Sequence, residues 1–467
     1  MRELLTSIAS GEHPASTAVP VRRTPRPGSA VGPADAPGGA GWPATPVQEQ
    51  LWVLDRLQDV GAGYNVSFVF HIDGPADPAA VVAGVRSTVA RHDGLATAFG
   101  PSGPDGALVQ RPVTLELVPA GAEQVDLATA ERIVHEETRR PFALAAGPLV
   151  RARVLAVAPG DCRVVFVASH AVIDGWSVGV LVDDLAAAIG GREADQDPAP
   201  RWSAYARGLR HDRARREADE AVAAWRELLA GTESLVTGLA PEPGSRPSPG
   251  LAGGTLRFAL PGAAEVDDAA RRLEVSPFVL QLAAFQLAVA RLAATRTVVT
   301  GVPLLNRGPE VPAGLVGPVS NTLPVRVDLP AEPDDVAGAV RATAAGLAAA
   351  LAAQAAPVPH VVRDRARATG SAGTTLFSQL FNTGNLPGGG RPVTASPDVS
   401  VRPVAVPNGT SRIGLDLTLE PTGDGSAGGR LEFDQALHPA PRATRLVEEL
   451  CRQLPRVLSA GLRAPAA

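Results

Sequence analysis

The stretch VVFVASHAVIDGWSVGVLVDDL, residues 164–185, contains the change of periodicity that decides the fold. RVVFVAS is the kind of apolar, β-branched run that a strand buried on both faces produces. WSVGVLVDDLAAAI has helical spacing instead, so His170 to Gly175 form the turn between strand and helix. A histidine held in such a turn titrates near neutrality, and its free ring nitrogen can take a proton from an amine or alcohol attacking an acyl carbon. Asp174 is placed to turn inward and fix the loop, and Gly175 permits a sharp turn or a close approach to substrate. The residues alone leave two readings open: His170 is a catalytic base, or it is a polar side chain where a strand ends. HVVRD at 360–364 has the same His-xxx-Asp spacing. It follows Pro357 and Pro359, precedes no glycine and runs into an arginine-rich segment, so it reads as surface decoration.

On either side of this stretch, helical and strand periodicities alternate. TPVQEQLWVLDRLQ places Val47, Leu51, Leu54 and Leu57 at helical spacing, whereas NVSFVFHI alternates Val66, Phe68 and Phe70 as a strand does. DPAAVVAGVRSTVARH begins with an Asp77 cap and Pro78 at the first helical position. ALVQRPVTLELV and PLVRARVLAV then read as strands on either side of a helix near 125–139. The second half shows the same mixture. Strands are expected at 254–260, 297–303, 322–329, near 375–382 and at 413–420, with helices at 263–273, 276–294, 334–355 and 441–459. GLAPEPGSRPSPGLAGG (238–254) breaks the pattern between the halves, and residues 11–43 are rich in Pro, Gly, Ala and Ser without apolar periodicity. The fold class is therefore α/β, with strands and helices layered in two lobes of similar size. The expected division is a flexible leader at 1–43, a first lobe at 44–195, a helix and linker at 196–254, and a second lobe at 255–467.

The 467-residue chain has a net charge of −5, which offers nothing to attract nucleic acid or an anionic membrane. All 43 basic residues are arginine, a composition that fits GC-rich codon usage and suggests an actinobacterial source. Cys162 and Cys451 are the only cysteines, too few for a disulfide framework or a four-cysteine zinc site. No metal is expected, and a reducing cytoplasm is the natural setting. The N-terminus MRELLTSIAS is not a signal peptide, and the apolar 276–294 segment is interrupted by Gln281, Gln286 and Arg291.

SHAVIDGWS resembles the HHxxxDGWS signature of nonribosomal peptide synthetase condensation domains, and further matches follow the family's order along the chain. TPVQEQLWVLDRL resembles its opening S-x-A-Q-x-R-L-W-x-L motif, GYNVSF its Y-N-I-P segment, and RHDGLATAF its R-H-E-x-L-R-T-x-F block. GVPLLNR with GLVGPVSNTLPVRV resembles the G-x-P-x-x-x-R and G-x-x-x-N-T-L-P-x-R blocks. LFSQLFNTGN and LDLTLEPTGDGSAGGRLEFD extend the likeness to residue 434.

The resemblance implies a V-shaped pair of chloramphenicol-acetyltransferase-like lobes with the histidine in a tunnel between them. It implies an acyltransferase that forms an amide or ester bond in antibiotic biosynthesis, with His170 and the backbone at Gly175 catalytic. No cofactor is bound by the chain itself. A donor carrier protein brings the acyl or peptidyl thioester on a phosphopantetheine arm, in trans, and the acceptor is carrier-bound or a free small molecule. Ser169, Asp174 and Arg307 are structural on this reading, the last two as an ion pair. Ser177, Asn321 and Thr322 contact substrate, and Tyr64 and Trp176 read equally as pocket aromatics or as core. Ser169 replaces the first histidine of the family pair, Ala96 replaces an arginine, and AQAAPVP (353–359) stands where HQDxPFE would. These departures keep two alternatives in view: a catalytically silent module that docks carrier proteins, and an acyl-coenzyme A transferase of the same superfamily.

Overall fold

The computed structural model describes residues 41–57, 60–102, 106–115, 121–232, 238–248, 252–370, 376–384, 391–421 and 427–460. Most of the expected leader lies outside this set. The first half runs β1 (Trp42–Pro43), α1 (Pro46–Leu57), β2 (Asn65–Asp73), α2 (Pro78–Ala90), β3 (Thr97–Ser102), β4 (Ala107–Pro112), β5 (Glu123–Gln124), α3 (Leu127–Arg139), β6 (Val150–Ala158), β7 (Asp161–Ser169) and α4 (Gly175–Ile189). Then come α5 (Trp202–Gly208) and α6 (Asp212–Leu228). The second half runs β8 (Gly253–Leu260), α7 (Ala263–Leu273), α8 (Pro277–Ala293), β9 (Thr297–Leu304), β10 (Asn321–Asp328), α9 (Val336–Ala352), α10 (Val358–Thr369), β11 (Gln379–Thr383), β12 (Val393–Ser396), β13 (Val399–Ala405), β14 (Leu415–Pro421), β15 (Ala427–Asp434) and α11 (Ala440–Leu458).

Two six-stranded sheets organise these elements, in the orders β12-β13-β2-β7-β6-β5 and β10-β9-β11-β14-β15-β8. The apolar run before His170 becomes β7, an inner strand antiparallel to both β2 and β6, and this is why it needs hydrophobic residues on both faces. Helix α4 packs back on the sheet through Val178, Leu181, Val182 and Leu185. It begins at Gly175, the last residue of the turn expected at 170–175, because Asp174 is its cap. Asp77 likewise caps α2 with Pro78 at its start, as the sequence leads one to expect.

Three assignments change. Residues 393–405, placed by sequence in the second lobe, cross over as β12 and β13, and β13 pairs with β2 from Ser400↔Asp73 to Ala405↔Phe68. Ala395, Val399 and Val401 accordingly join the first lobe's core, so 255–467 is not one lobe. Helix α6, drawn as part of the linker, belongs to the second lobe: Trp225 is 1% exposed in that core and donates its indole N–H to the Ala353 carbonyl at 2.9 Å. HVVRD is no surface decoration, since it lies on α10, with Val361 buried and Asp364 paired to Arg226 at 2.7 Å.

His438, just before α11, is fully buried, and neither of its ring nitrogens has a hydrogen-bond partner. Burial, with help from Arg442, pushes its pKa down to about 4. The unfolded chain binds a proton near pH 6.5 that the fold refuses, so stability falls as pH drops from about 6.5 towards 4. His438→Leu is expected to flatten this part of the stability-versus-pH curve, measured by denaturant unfolding across that range. A curve as steep as the unsubstituted chain's would show that other groups control it.

Candidate active site

The site is built where β7 ends. The Ser169 N–H donates to the Leu149 carbonyl at 2.9 Å, and the His170 N–H donates to the Tyr64 carbonyl at 2.8 Å, so both neighbouring segments hold the turn. Gln48 of α1 donates to the Ala171 carbonyl at 2.8 Å and to Gln110 Oε1 at 2.9 Å. Gln110 Oε1 also accepts the Trp202 indole N–H at 2.8 Å. This brace is one that sequence reasoning missed, because its members lie 62 and 92 residues apart and share no local pattern.

Asp174 has no exposed surface, and its carboxylate gathers donors from both halves of the chain. Oδ1 accepts the Ser177 N–H at 2.9 Å, the Ser177 hydroxyl at 2.7 Å and Arg307 Nη2 at 3.1 Å. Oδ2 accepts the same Nη2 at 3.1 Å, with the Val319 and Ser320 N–H groups at 3.1 and 3.2 Å. The Arg307 side chain is 5% exposed and also donates to the Leu315 carbonyl at 2.8 Å. Asn306 directs it there: its φ of 53° is in the left-handed region, and its side chain donates to the Val319 carbonyl at 3.1 Å. The Gly317 N–H donates to the Ser177 hydroxyl at 3.0 Å, and a Cβ on Gly317 would lie 2.1 Å from the Trp202 ring. Glycine is therefore required at 317 by close packing.

The other expected site residues divide. Ser169 is 4% exposed, and its hydroxyl accepts the Ala171 N–H at 3.2 Å, so it shapes its own turn. Trp176 donates its indole N–H to the Ala313 carbonyl at 2.8 Å, with its ring 5.6 Å from the Arg307 guanidinium. Tyr64 packs on the first lobe's core and carries His170 on its carbonyl. Asn321 lies on β10, and its amide holds the segment before α10: it donates to the Ala356 carbonyl at 2.9 Å and accepts the Val358 N–H at 3.1 Å. It acts as a brace there, and the Thr322 N–H donates to its side-chain oxygen at 3.1 Å. Gly175 does not have a positive φ, and a Cβ built on it would meet nothing within 4 Å. A sharp turn is thus not its reason, whereas open space for a substrate beside the start of α4 remains one.

His170 keeps part of its surface accessible, although protein surrounds it. Its Nδ1 is buried without a hydrogen-bond partner. Burial, then the Arg412 charge, lowers its pKa, while nearby backbone carbonyls and the more distant Asp174 oppose the shift. The ring is therefore a neutral base at physiological pH, next to an aspartate whose oxygens are engaged elsewhere. A cleft of about 320 Å³ lined by Trp52, Val53, Arg56, Pro101 and Leu108 contains none of these residues, so it is not the reaction chamber.

Asp174→Ala is expected to lower unfolding free energy by about 3–5 kcal/mol, because the Arg307 charge would be left buried without a partner. Denaturant titration measures this. A loss under about 1 kcal/mol would mean that the pair behaves as a surface ion pair does.

The family model described as Condensation domain matches residues 41–463. The chain is 30% identical over 432 residues to phosphinothricin tripeptide synthetase PhsC of Streptomyces viridochromogenes, a match covering 87% of this chain and 38% of that protein. It is 30% identical over 486 residues to phosphinothricin tripeptide synthetase PhsB of the same organism, covering 98% of this chain and 39% of that protein. The chain thus spans less than two fifths of these two relatives. The first condensation domain of the calcium-dependent antibiotic synthetase, solved with a substrate analogue, superposes with a TM-score of 0.73 at 21% identity, covering 91% of this chain and 98% of that one. The architecture is therefore the chloramphenicol-acetyltransferase-like one expected, and the ordered motifs, the fold and the family match agree: the chain belongs to the condensation-domain family.

Proposed function

We propose that the chain joins a carrier-bound acyl or peptidyl thioester to an amine or hydroxyl acceptor, forming an amide or ester in nonribosomal peptide biosynthesis. The observation that carries this reading is His170 itself: a neutral, partly accessible imidazole at a strand end, held by backbone hydrogen bonds and free of a carboxylate partner. The acceptor nitrogen or oxygen attacks the thioester carbonyl carbon, and His170 takes the proton that the nucleophile sheds. The carbonyl oxygen becomes an oxyanion beside Gly175 and Trp176, where the N–H groups of the first turn of α4 supply positive potential. The C–S bond then breaks, and the imidazolium returns the proton to the departing pantetheine sulfur. The arm and its thioester are substrate, delivered by a carrier protein in trans.

Asp174 holds the loop and does not relay protons in this scheme, since its donors come from Ser177, Arg307, Val319 and Ser320. Ser169 supports the turn that aims His170. A cytoplasmic setting with no membrane partner accords with the finding that, among the described residues, no single helix is long and apolar enough to cross a membrane.

His170→Ala is expected to lower acyl transfer by about 10²–10⁴-fold with an unchanged melting temperature, whereas Ser169→Ala costs far less. Single-turnover assays with an acyl carrier thioester, compared with acyl-coenzyme A, test both the base and the donor. Unchanged turnover in His170→Ala would overturn the catalytic assignment of His170, absence of product with the unsubstituted protein would favour the silent docking module, and preference for the coenzyme A donor would favour the third alternative.

The pH profile provides a further check. Protonated His170 cannot accept the acceptor's proton, and its pKa is lowered from 6.5. The acid limb of kcat/KM should therefore lie below pH 6.5, with activity lost only as pH falls through that lowered value. An acid limb above pH 6.5 would assign the base to another group.

A further inference from the structure

His170 and Ala171 are the two central residues of a tight turn, closed by the Val172 N–H donating to the Ser169 carbonyl at 2.9 Å. Each peptide around the histidine has its own tether. The His170 N–H donates to the Tyr64 carbonyl at 2.8 Å, the Ala171 N–H to the Ser169 hydroxyl at 3.2 Å, and the Ala171 carbonyl accepts from Gln48 Nε2 at 2.8 Å. The direction of the His170 side chain follows from these three peptides. One tether belongs to the turn itself and one to the residue before β2, whereas the third comes from α1, 123 residues earlier.

Gln48 is held in one orientation. Its Oε1 accepts the Thr45 N–H at 2.9 Å, which turns Nε2 towards the Ala171 carbonyl and towards Gln110 Oε1 at 2.9 Å. The Gln110 amide is fixed as well: its Nε2 donates to the Pro43 carbonyl at 3.0 Å, and its Oε1 accepts at 2.8 Å from the Trp202 indole, which can only donate. Trp202 has anchors of its own. Its backbone N–H and that of Ser203 donate to the Asp93 carboxylate at 2.7 and 3.2 Å, and its ring lies in a buried cluster with Trp42, Leu315 and Val319, hard against Gly317. A chain of three buried side chains thus runs from the second-lobe segment that engages Asp174 to the turn that carries His170.

We propose that Gln48 is a positioning residue for His170, and that Gln110 and Trp202 act through it by fixing its amide. The inference rests on the acyl-transfer reading above and assigns residues that hold the base without reacting. Loss of the Gln48 donor strands the buried Ala171 carbonyl and frees the 171–172 peptide to rotate, which swings the neighbouring His170 side chain off its line. A reacting group misplaced by about 1 Å loses about 10²-fold in rate. Trp202 joins this effect to the lobe junction. The segment that packs on its ring also supplies the Val319 N–H to Asp174, so both ends of the motif loop depend on one piece of the second lobe.

Gln48→Met keeps the length of the side chain and removes its donor, Trp202→Phe keeps a packed ring and removes only the N–H, and the double variant combines them. The primary measurement is an NMR titration of the His170 imidazole, assigned by His170→Ala. It uses no substrate, so its failure is distinct from failure of the acyl-transfer reading. Burial holds the ring below its ordinary pKa, and a ring released towards water titrates closer to 6.5. Arg412 and Asp174, the charges that bear on the ring, stay in place in every variant. The midpoint is expected to rise in Gln48→Met, to rise less in Trp202→Phe, and to rise no further in the double variant, as residues acting in one chain require. With an acyl carrier thioester, kcat should fall about 10²-fold in Gln48→Met while KM stays within about twofold. A purely structural role would lower the melting temperature and leave the midpoint where it was. A midpoint unchanged in folded Gln48→Met, or in Trp202→Phe if Gln48→Met does not fold, overturns the assignment, as do single effects that simply add in the double variant.

Discussion

A carboxylate with no exposed surface must be matched by donors, and the junction between the two halves is arranged around this requirement at Asp174. Its cap position on α4 satisfies one side. Arg307 and the N–H groups of Val319 and Ser320 satisfy the other, and they come from the segment joining β9 to β10. The loop carrying His170 is thereby fastened to the second lobe by a group a few residues beyond the histidine. Trp176 and Ser177 extend the same seam through Ala313 and Gly317.

This arrangement separates two tasks that a His-xxx-Asp spacing would lead one to combine. Asp174 is fully engaged as architecture and leaves the imidazole without a carboxylate partner, so burial and Arg412 dominate and keep the ring neutral. A neutral imidazole is the form that accepts a proton, and an unpaired one keeps its basic nitrogen available. Ser169 fits this division: its hydroxyl accepts the Ala171 N–H, so the side chain before His170 shapes the turn and leaves proton transfer to its neighbour.

The crossover of β12 and β13 is a second seam. Pairing of β13 with β2 completes the first lobe's sheet and closes a strand edge that would otherwise expose backbone groups. It also returns the chain past Ala62 and Asn65, on either side of Tyr64, before it enters β14. The lobes are consequently joined at two points, the Asp174 junction and the β12–β13 crossover.

Local periodicity determined much of this molecule in advance. β7, α4 and the turn at His170 follow from a buried apolar run giving way to helical spacing, and the caps at Asp77 and Asp174 follow from short-range hydrogen bonding. The ordered motifs pointed to the family and to the Asp174–Arg307 pair, because side chains that answer one another keep their place in the order of blocks. Tertiary structure alone decided which sheet received residues 393–405, since a strand's alternation specifies that one face is buried but not which edge it will join. It alone brought Gln48, Gln110 and Trp202 together under the motif loop, and turned the Asn321 amide onto the backbone at 356 and 358. It alone brought the Arg412 charge within electrostatic reach of His170, 242 positions earlier in the chain. Contacts of that separation leave no spacing for a linear reading to detect, because they are fixed by how two lobes pack rather than by the conformation of any one segment.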